Sequence, residues 1–418
     1  MRYIRFALRT LFFSALLICI TIFTAVFILN KTVSREYKIN RGDSFKIDST
    51  IPVTADIKGA TADRSDFYKV GDVFDVDLKI FGVIPFTKAS VTVVDDAYVS
   101  VLGTPFGMKV YTDGVLVIST GDVKTSSGTI NPSNLAGIKV GDYIRQVNGI
   151  DITCNEDLTA LVAESAGRPM QVKIMRNGNE KTLSVTPVRS LDEGIYRIGI
   201  WVRDSSAGVG TLTFYSPSNN IICGLGHGIC DSDTGDLLVP EHGELVGADI
   251  ISVKKGTSGE PGELKGRFTL DKISDISLNA ENGVYGKPYK DFRISDLTQI
   301  SLKQDVKNGE AQILCTVSGG TPKLYSCTVQ KRVSFLNSAT QNMVITVTDK
   351  ELIDITGGII QGMSGSPILQ DGKLIGAVTH VFVDDPTKGY AVYAENMLET
   401  AQKLSGGKTE KSALKKAS

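Results

Sequence analysis

The twenty residues from Gly362 to Val381 leave few folds open. Gly362-Met363-Ser364-Gly365-Ser366-Pro367 is a glycine-flanked turn, and Ile368 to His380 behind it reads as strand, Asp371-Gly372 turn, strand. Asp-Gly between two apolar runs is the composition of a two-residue hairpin turn, where both central residues need positive φ. A tight turn feeding straight into a hairpin calls for an antiparallel β architecture. It also presents chemistry. Such a turn exposes the Ser364 side chain while aiming the N–H groups of Gly362 and Ser364 into one small hole. A hydroxyl attacks a carbonyl well only when a base removes its proton and donors stabilise the resulting oxyanion. The alternative is an ordinary polar turn, since Gly, Ser and Pro are the common turn residues.

A base must be found, and the chain holds three histidines: His227, His242 and His380. His227 lies in Ile221-Ile222-Cys223-Gly224-Leu225-Gly226-His227-Gly228-Ile229, an apolar strand ending in a glycine-bracketed turn. Glycine on both sides lets the backbone come close and leaves the imidazole open, as proton transfer between nucleophile and leaving group requires. His242 sits in the polar stretch Pro240-Glu241-His242-Gly243-Glu244 and reads as solvated. His380 follows Ser364 by sixteen residues on the returning strand, better placed to line a pocket than to reach the hydroxyl. His227 could instead ligate a metal with Cys223 and Cys230. That Cys-x3-His-x2-Cys cluster lacks a fourth ligand and a second cysteine pair of zinc-site spacing. No metal and no organic cofactor are expected.

The third member of such a site is a carboxylate that fixes the imidazole tautomer. Asp349 ends the strand-like run Met343-Val344-Ile345-Thr346-Val347-Thr348, yet followed by Lys350-Glu351-Leu352 it is equally an ordinary helix N-cap. Asp231, four residues after His227, and Asp249 are rivals. Chemistry alone leaves the choice open.

The hexapeptide has the Gly-x-Ser-Gly-(Gly/Ser)-Pro form found around the nucleophile of chymotrypsin-like serine proteases; the α/β-hydrolase elbow would need glycine where Ser366 stands. That likeness runs on through the hairpin and implies that Thr379, His380 and Val381 form an edge against which a substrate backbone pairs. With Gly226-His227-Gly228-Ile229-Cys230-Asp231 and with Gly357-Gly358-Ile359-Ile360-Gln361 leading into the turn, the chain resembles the SpoIVB peptidases, sporulation stage IV protein B serine proteases of endospore formers. The resemblance covers nearly the whole chain and implies His227 as base, Ser364 as nucleophile and Asp349 as acid, with Gly362 and Ser364 amides as the oxyanion hole. It further implies export across the inner forespore membrane and work in the space between forespore and mother cell. There the family cleaves a membrane-bound regulator, freeing an intramembrane metalloprotease to process the pro-form of a late mother-cell sigma factor. Two rival readings stand beside it. One is a non-catalytic PDZ adaptor that scaffolds a membrane complex, against which the retained histidine and serine motifs argue. The other is a Ser-Lys hydrolase, which would tolerate loss of His227.

The N-terminus supports a membrane setting. Arg2, Arg5 and Arg9 precede Leu11 to Leu29, nineteen residues without a charge and about the length that spans a bilayer. Positive charges before the run hold that end in the cytoplasm and send the rest outward. No small-x-small cleavage site follows Leu29, which favours a signal anchor over a cleaved signal peptide. Net charge of −1 with 22% charged residues gives nucleic acid no electrostatic footprint. The basic run Lys408 to Lys416 reads as a solvated tail. Cys315 and Cys327 lie on two strand-like runs around Ser318-Gly319-Gly320, where a cross-strand bridge is open but not readable.

Between these ends the pattern is β. Phe74 to Ile80 alternates apolar and charged residues strictly, and Ala89 to Val94 is strand-like, giving a small β module behind a polar stalk. Tethering beside that stalk puts it at high effective concentration for the chain's own active site, so self-cleavage and release are expected there. Ala136 to Gly149 resembles the turn, strand and Asn-Gly hairpin of a PDZ domain, and Asn155 onward reads as the helix bordering its groove. By that resemblance Gly103, Phe106, Gly107 and Met108 form the peptide-binding loop for a ligand peptide, the chain's own tail included, with Pro105 removing one donor. From Tyr196 the strands continue for about two hundred residues, with Trp201 and Tyr215 read as core. The expected architecture is mainly β: a transmembrane anchor over 1–30, a stalk and β module over 31–95, a PDZ domain over 96–190, a chymotrypsin-like double β-barrel over 191–405 and a basic tail over 406–418.

Overall fold

The structure, a computed structural model, describes residues 68–406 apart from 239, 291, 293–295, 319 and 333–337; before residue 68 it describes 11–17, 20–21, 24, 26–27, 33–43, 45, 47 and 52–57. Leu11 to Leu17 are helical and exposed. Among the described residues no helix is long and apolar enough to cross a membrane, so the expected transmembrane helix is not found; much of that run lies outside the described residues, as does the tail from 407.

The alternating run is the strand Val73–Ile80, whose Val76, Leu78 and Ile80 are buried while the residues between face outward. It sits in a four-stranded sheet in the order Glu36–Asn40, Ile84–Val94, Val73–Ile80, Val53–Ile57. Lys38 of this sheet forms ion pairs with Glu395 and Glu399 on the last helix, Ala394–Ser405, tying the module to the body. That helix packs Ala394, Met397, Leu398 and Ala401, one face at helical spacing, against Phe214, Tyr285 and Leu374.

The PDZ segment is an insertion. Strand Pro105–Thr120 pairs with Ile200–Ser216 along its length, from Pro105 opposite Thr211 to Thr120 opposite Ile200. One end of this strand pair belongs to the protease body and the other to the PDZ core. In that core Val115, Val117, Ile144, Val147, Val172 and Ile174 pack under the helix Asn155–Glu164, with Ile200 and Val202 at its margin. The Asn148-Gly149 turn joins Tyr143–Val147 to Ile150–Asp151 with φ of 50° and 83°, as its composition requires. The helix begins where the Asp157 carboxylate accepts from the Thr153 amide at 2.9 Å and the Cys154 amide at 3.3 Å.

This arrangement corrects one expectation. Gly103 to Met108 is no peptide-binding loop: Phe106 is 0% exposed among Leu212, Ile222, Leu225 and Val284, and a Cβ on Gly103 would reach the Leu314 side chain at 2.7 Å. The strands Tyr98–Val101 and Pro105–Thr120 both pair with Ile200–Ser216, so the segments on either side of 191 share one sheet. Trp201, expected in the core, is 57% exposed.

The second half is a closed barrel of six strands, in the order Gly309–Cys315, Lys323–Lys331, Met343–Val347, Lys388–Tyr393, Lys373–Val381, Pro367–Gln370. Its inward residues include Ile313, Cys315, Cys327, Met343, Ile345 and Ile368. Cys315 stands opposite Lys323 and Cys327 opposite Ala311, so both thiols are buried and free. The first half does not close. Its strands form a 13-stranded sheet that runs out through the PDZ core and through a ribbon of Pro240–Lys254 and Glu263–Asp275.

Candidate active site

The nucleophile turn is built at the seam between the halves. Asp371 and Gly372 have φ of 51° and 75°, closing the hairpin Pro367–Gln370 to Lys373–Val381 in the expected register. Ahead of it, Gly362 and Gly365 have φ of 95° and 93°. A Cβ on Gly365 would collide with the Thr211 carbonyl oxygen and the Leu225 amide, so only glycine lets the turn lie this close to the other half. The turn is then fastened by the main chain. The Thr211 amide donates to the Ser364 carbonyl at 2.8 Å, and the Gly365 amide to the Val378 carbonyl at 2.8 Å.

The same bonds prepare an oxyanion hole. In a trans peptide the C=O and N–H point in opposite directions. The Gln361 carbonyl accepts from the Leu264 amide at 2.8 Å, and the Met363 carbonyl from the Ser366 amide at 2.9 Å. Both peptides whose N–H groups belong to Gly362 and Ser364 are thus held from their carbonyl side. Among the described residues neither amide donates to an internal acceptor. Each is free to meet a developing oxyanion.

His227 arrives from the open half. Leu225 and Gly226 both have positive φ, 71° and 68°, which turns the chain sharply after the strand Ile221–Gly224. A Cβ on Gly226 would meet the Val378 carbonyl oxygen at 2.8 Å. His227 Nδ1 lies 2.8 Å from the Gly228 carbonyl oxygen, which assigns the proton to Nδ1 and leaves the Nε2 lone pair as base. His227, Ser364 and Gly362 line one cleft of about 590 Å³ between the halves, with Met108 and Arg203 on its wall. Burial lowers the His227 pKa to about 4; the Gly228 carbonyl acts to raise it and neighbouring His380 to lower it. The ring is therefore neutral near pH 7.

Of the three expected pocket residues, His380 lies with its ring 4.7 Å from that of His227 and tilted 31° to it, and the Thr379 carbonyl accepts a hydrogen bond from the Ser364 hydroxyl at 2.7 Å. Val381 is half-buried opposite Gly389. Pairing of this strand with the serine side ends at Ala377 and Val378; beyond it Thr379 is buried, its hydroxyl donating to the Thr340 carbonyl at 3.0 Å, and His380 is exposed.

The expected acid is elsewhere. Asp349 is the N-cap of helix Lys350–Thr356, accepting from the Leu352 amide at 3.2 Å and from the Ser326 amide at 3.1 Å. Its carboxylate bonds the helix end and not His227. Asp231 is held by Arg203 at 2.6 Å and by the Asp233 and Thr234 amides; Asp249 pairs with Arg267 at the surface. Among the described residues the partner of His227 Nδ1 is a main-chain carbonyl.

Two features escaped sequence reasoning. Thr211, 2% exposed, joins both catalytic turns: its amide holds Ser364, its carbonyl accepts from the Leu225 amide at 3.1 Å, and its hydroxyl donates to the Gly362 carbonyl at 2.9 Å. A polar residue in the run Gly210-Thr211-Leu212-Thr213-Phe214 was the available sign. The second is a groove of about 470 Å³ between the PDZ helix and the start of strand Ile200–Ser216, lined by Leu158, Val162, Ile198, Ile200 and Trp201. Gly199, at φ 71°, approaches the Gly121 carbonyl too closely for a Cβ. That requirement depends on a partner seventy-eight residues away, so no local pattern announces it.

Ser364, in a turn with free amide donors, and the neutral imidazole of His227 line one cleft between two β halves, an arrangement compatible with a serine hydrolase of the Ser–His type. Residues 194–398, just under half of the chain, match the SpoIVB peptidase S55 family. Residues 100–186 match the PDZ domain. Two proteins named as putative zinc metalloproteases are similar over short stretches. One, from Lactococcus lactis, is 33% identical over 92 residues, 21% of this chain and 21% of that protein. The other, from Clostridium acetobutylicum, is 28% identical over 88 residues, 21% of this chain and 25% of that protein. The chain thus spans about a quarter or less of these curated relatives. Among solved structures, the active form of the Rv3671c protease of M. tuberculosis aligns at 14% identity, covering 48% of this chain and 74% of that one, with a TM-score of 0.29. The thermostable serine protease AL20, from an extremophilic microorganism, aligns at 13%, covering 48% and 92%, with a TM-score of 0.30. Scores this low carry no argument, and the assignment rests on the family match.

Proposed function

We propose that this chain is a membrane-tethered serine endopeptidase of sporulation signalling. It cleaves a membrane-bound regulator of the intramembrane protease that processes a late mother-cell sigma factor, and it cuts itself between its anchor and the Glu36–Val94 region. It acts outside the cytoplasm, in the space between forespore and mother cell. The family match supports the setting and the substrate. The exposed apolar run Leu11 to Leu17 supports the tether. The groove beside Trp201 is where a peptide would add as a strand to the PDZ segment.

One observation carries the chemistry: Ser364 and neutral His227 share a cleft into which the Gly362 and Ser364 amides donate unengaged. In the reaction the Ser364 hydroxyl turns from the Thr379 carbonyl toward His227 Nε2, which takes the proton as oxygen attacks the scissile carbonyl. The two amides then hold the oxyanion. His227 returns the proton to the leaving amine, and water repeats the cycle. The Gly228 carbonyl keeps the imidazole in the required tautomer, the orienting part of what a triad acid does.

Labelling with a fluorophosphonate and mapping the modified peptide tests this directly. The adduct is expected on Ser364, and Ser364→Ala is expected to lose both labelling and cleavage while membrane and partner binding persist. Cleavage surviving in Ser364→Ala would favour another nucleophile.

A further inference from the structure

We propose that the bulge at Arg203–Asp204 is the joint through which the PDZ groove sets the placement of His227, making Arg203 a positioning residue for the catalytic base. The inference rests on the serine-peptidase reading above and assigns a regulated element to it. Strand Ile200–Ser216 supplies the groove wall at Ile200, Trp201 and Val202, and Arg203 follows directly in the wall of the catalytic cleft. Between these two roles the ladder slips: Arg203 pairs with Leu116 but Ser205 with Tyr111. A bulge of this kind re-aims side chains along a strand, here just after a first irregularity between Trp201 and Val202.

Both walls of the groove end on this dipeptide. The strand wall is continuous with it. The helix wall is tied to it because the Asp204 carboxylate accepts from the amide of Asn155, first residue of the PDZ helix, at 3.0 Å. On the other side Arg203 forks into the loop behind His227. Its guanidinium reaches Asp231 at 2.6 Å, the Ser232 hydroxyl at 2.9 Å and Asp233 at 2.6 Å.

That loop is braced internally. The Asp231 carboxylate is fully buried and accepts from the Asp233 and Thr234 amides at 3.0 and 2.9 Å. The Leu238 amide donates to the Ile229 carbonyl at 2.9 Å, closing the loop over Gly228 and His227. Among the described residues it is also held by Asn279, which bonds both Ile229 and Leu238, by Gly228 to Glu281, and by Leu238 packed on Val110 and Leu116. Arg203 is thus the cationic strut of a loop whose first residues carry the base. A peptide that enters between helix and strand bears on Asp204 through one wall and on Arg203 through the other, and either displacement reaches the Asp231 turn. By linkage the coupling runs both ways, so occupancy at Ser364 is felt in the groove.

Trp201 makes this measurable, since it is the chain's one tryptophan and stands exposed in the groove. The test uses the full chain and a fluorophosphonate. Modifying Ser364 is expected to shift Trp201 emission in the wild type and to leave it unchanged in Arg203→Ala. The rate of phosphonylation in Arg203→Ala is expected to fall on the order of 10-fold, with Arg203→Lys between. On a peptide substrate the loss should fall on kcat with KM unchanged, which a general loss of folding would not produce. Should Arg203→Ala fail to fold, Asp233→Asn removes one arm of the fork and is expected to give a smaller loss of the same kind. Equal phosphonylation rates, or a Trp201 response that persists without Arg203 or is missing in the wild type, would overturn the joint. A wild type that takes no label at Ser364 would instead sink the peptidase reading beneath it.

Discussion

The two halves that meet at the cleft are held by different kinds of bond. The half carrying Ser364 is a closed six-stranded barrel, and its nucleophile turn is fixed by amides of Thr211 and Leu264 and by the hairpin behind it. The half carrying His227 does not close, and the loop behind the histidine is held by the side chains of Asn279 and Arg203, by the Gly228–Glu281 main-chain bond and by Leu238 packed on Val110 and Leu116. Main-chain ladders open only by local unfolding, whereas a side-chain fork changes partners at lower cost. The nucleophile turn is thus braced by main-chain bonds, and the loop behind the base in larger part by side chains. The half carrying His227 is also the one into which the PDZ segment is inserted.

The largest effects should come from breaking either half at the cleft. Ser364→Ala and His227→Ala are each expected to lower kcat/KM on the order of 10⁶-fold, the two together costing little more than one alone. Thermal unfolding should barely move, because both side chains are only half-buried. Near-normal turnover by His227→Ala would place the base on a lysine and dissolve the contrast between halves. Steady-state kinetics on a peptide substrate reads the answer.

Next in size is Phe106→Ala, which probes where the open half begins. Phe106 fills the space between Leu212, Ile222 and Leu225, directly under the turn into His227, and its truncation should cost about 3–5 kcal/mol in a denaturant titration. If Gly103 to Met108 were a peptide-binding loop, the change would weaken a ligand and spare the fold. Glycine-bracketed strand–loop–strand segments look the same in either role. What separates them is the pairing of Pro105–Thr120 with a strand that starts eighty residues later, and a non-local partner of that kind leaves no local mark. The hairpin behind Ser364 was legible for the opposite reason. Its two strands and Asp-Gly turn are contiguous, so composition alone fixes the register.

A pH profile sharpens the contrast by a smaller amount. With its pKa lowered by burial to about 4 from 6.5, His227 stays neutral well below neutrality. Since the base acts unprotonated, the acid limb of kcat/KM should fall near pH 4 instead of near 6.5. The sign for folding agrees. Between those two values the unfolded chain binds a proton that the folded chain refuses, so stability declines as pH falls through the window. A limb near 6.5 would mean that His227 is more open to water than its place beside His380 allows.

The smallest effect bears on the acid, and it decides how the sequence should have been read. Asp349 offered two roles at once, a triad acid by family resemblance and a helix N-cap by the Lys350-Glu351-Leu352 that follows. The structure gives it the second: its carboxylate caps Lys350–Thr356 and also takes the Ser326 amide of the neighbouring barrel strand. The cap was readable from local composition, while the distance to His227 depends on how two halves of the chain come together. Asparagine caps helices as well as aspartate does. Asp349→Asn keeps the Leu352 cap but sets its NH2 against the Ser326 amide. It should therefore lose about 1 kcal/mol in a thermal melt with turnover near wild type, while Asp349→Ala loses both bonds and more stability. An acid orienting His227 would behave the other way, because its amide favours the wrong tautomer and kcat falls by about 10⁴-fold even with geometry intact. If Asp349→Asn folds normally and turns over at that reduced rate, then the open half must swing His227 toward the barrel during catalysis. If it turns over normally, the Gly228 carbonyl is enough to hold the tautomer, and the closed half supplies the nucleophile without supplying the acid.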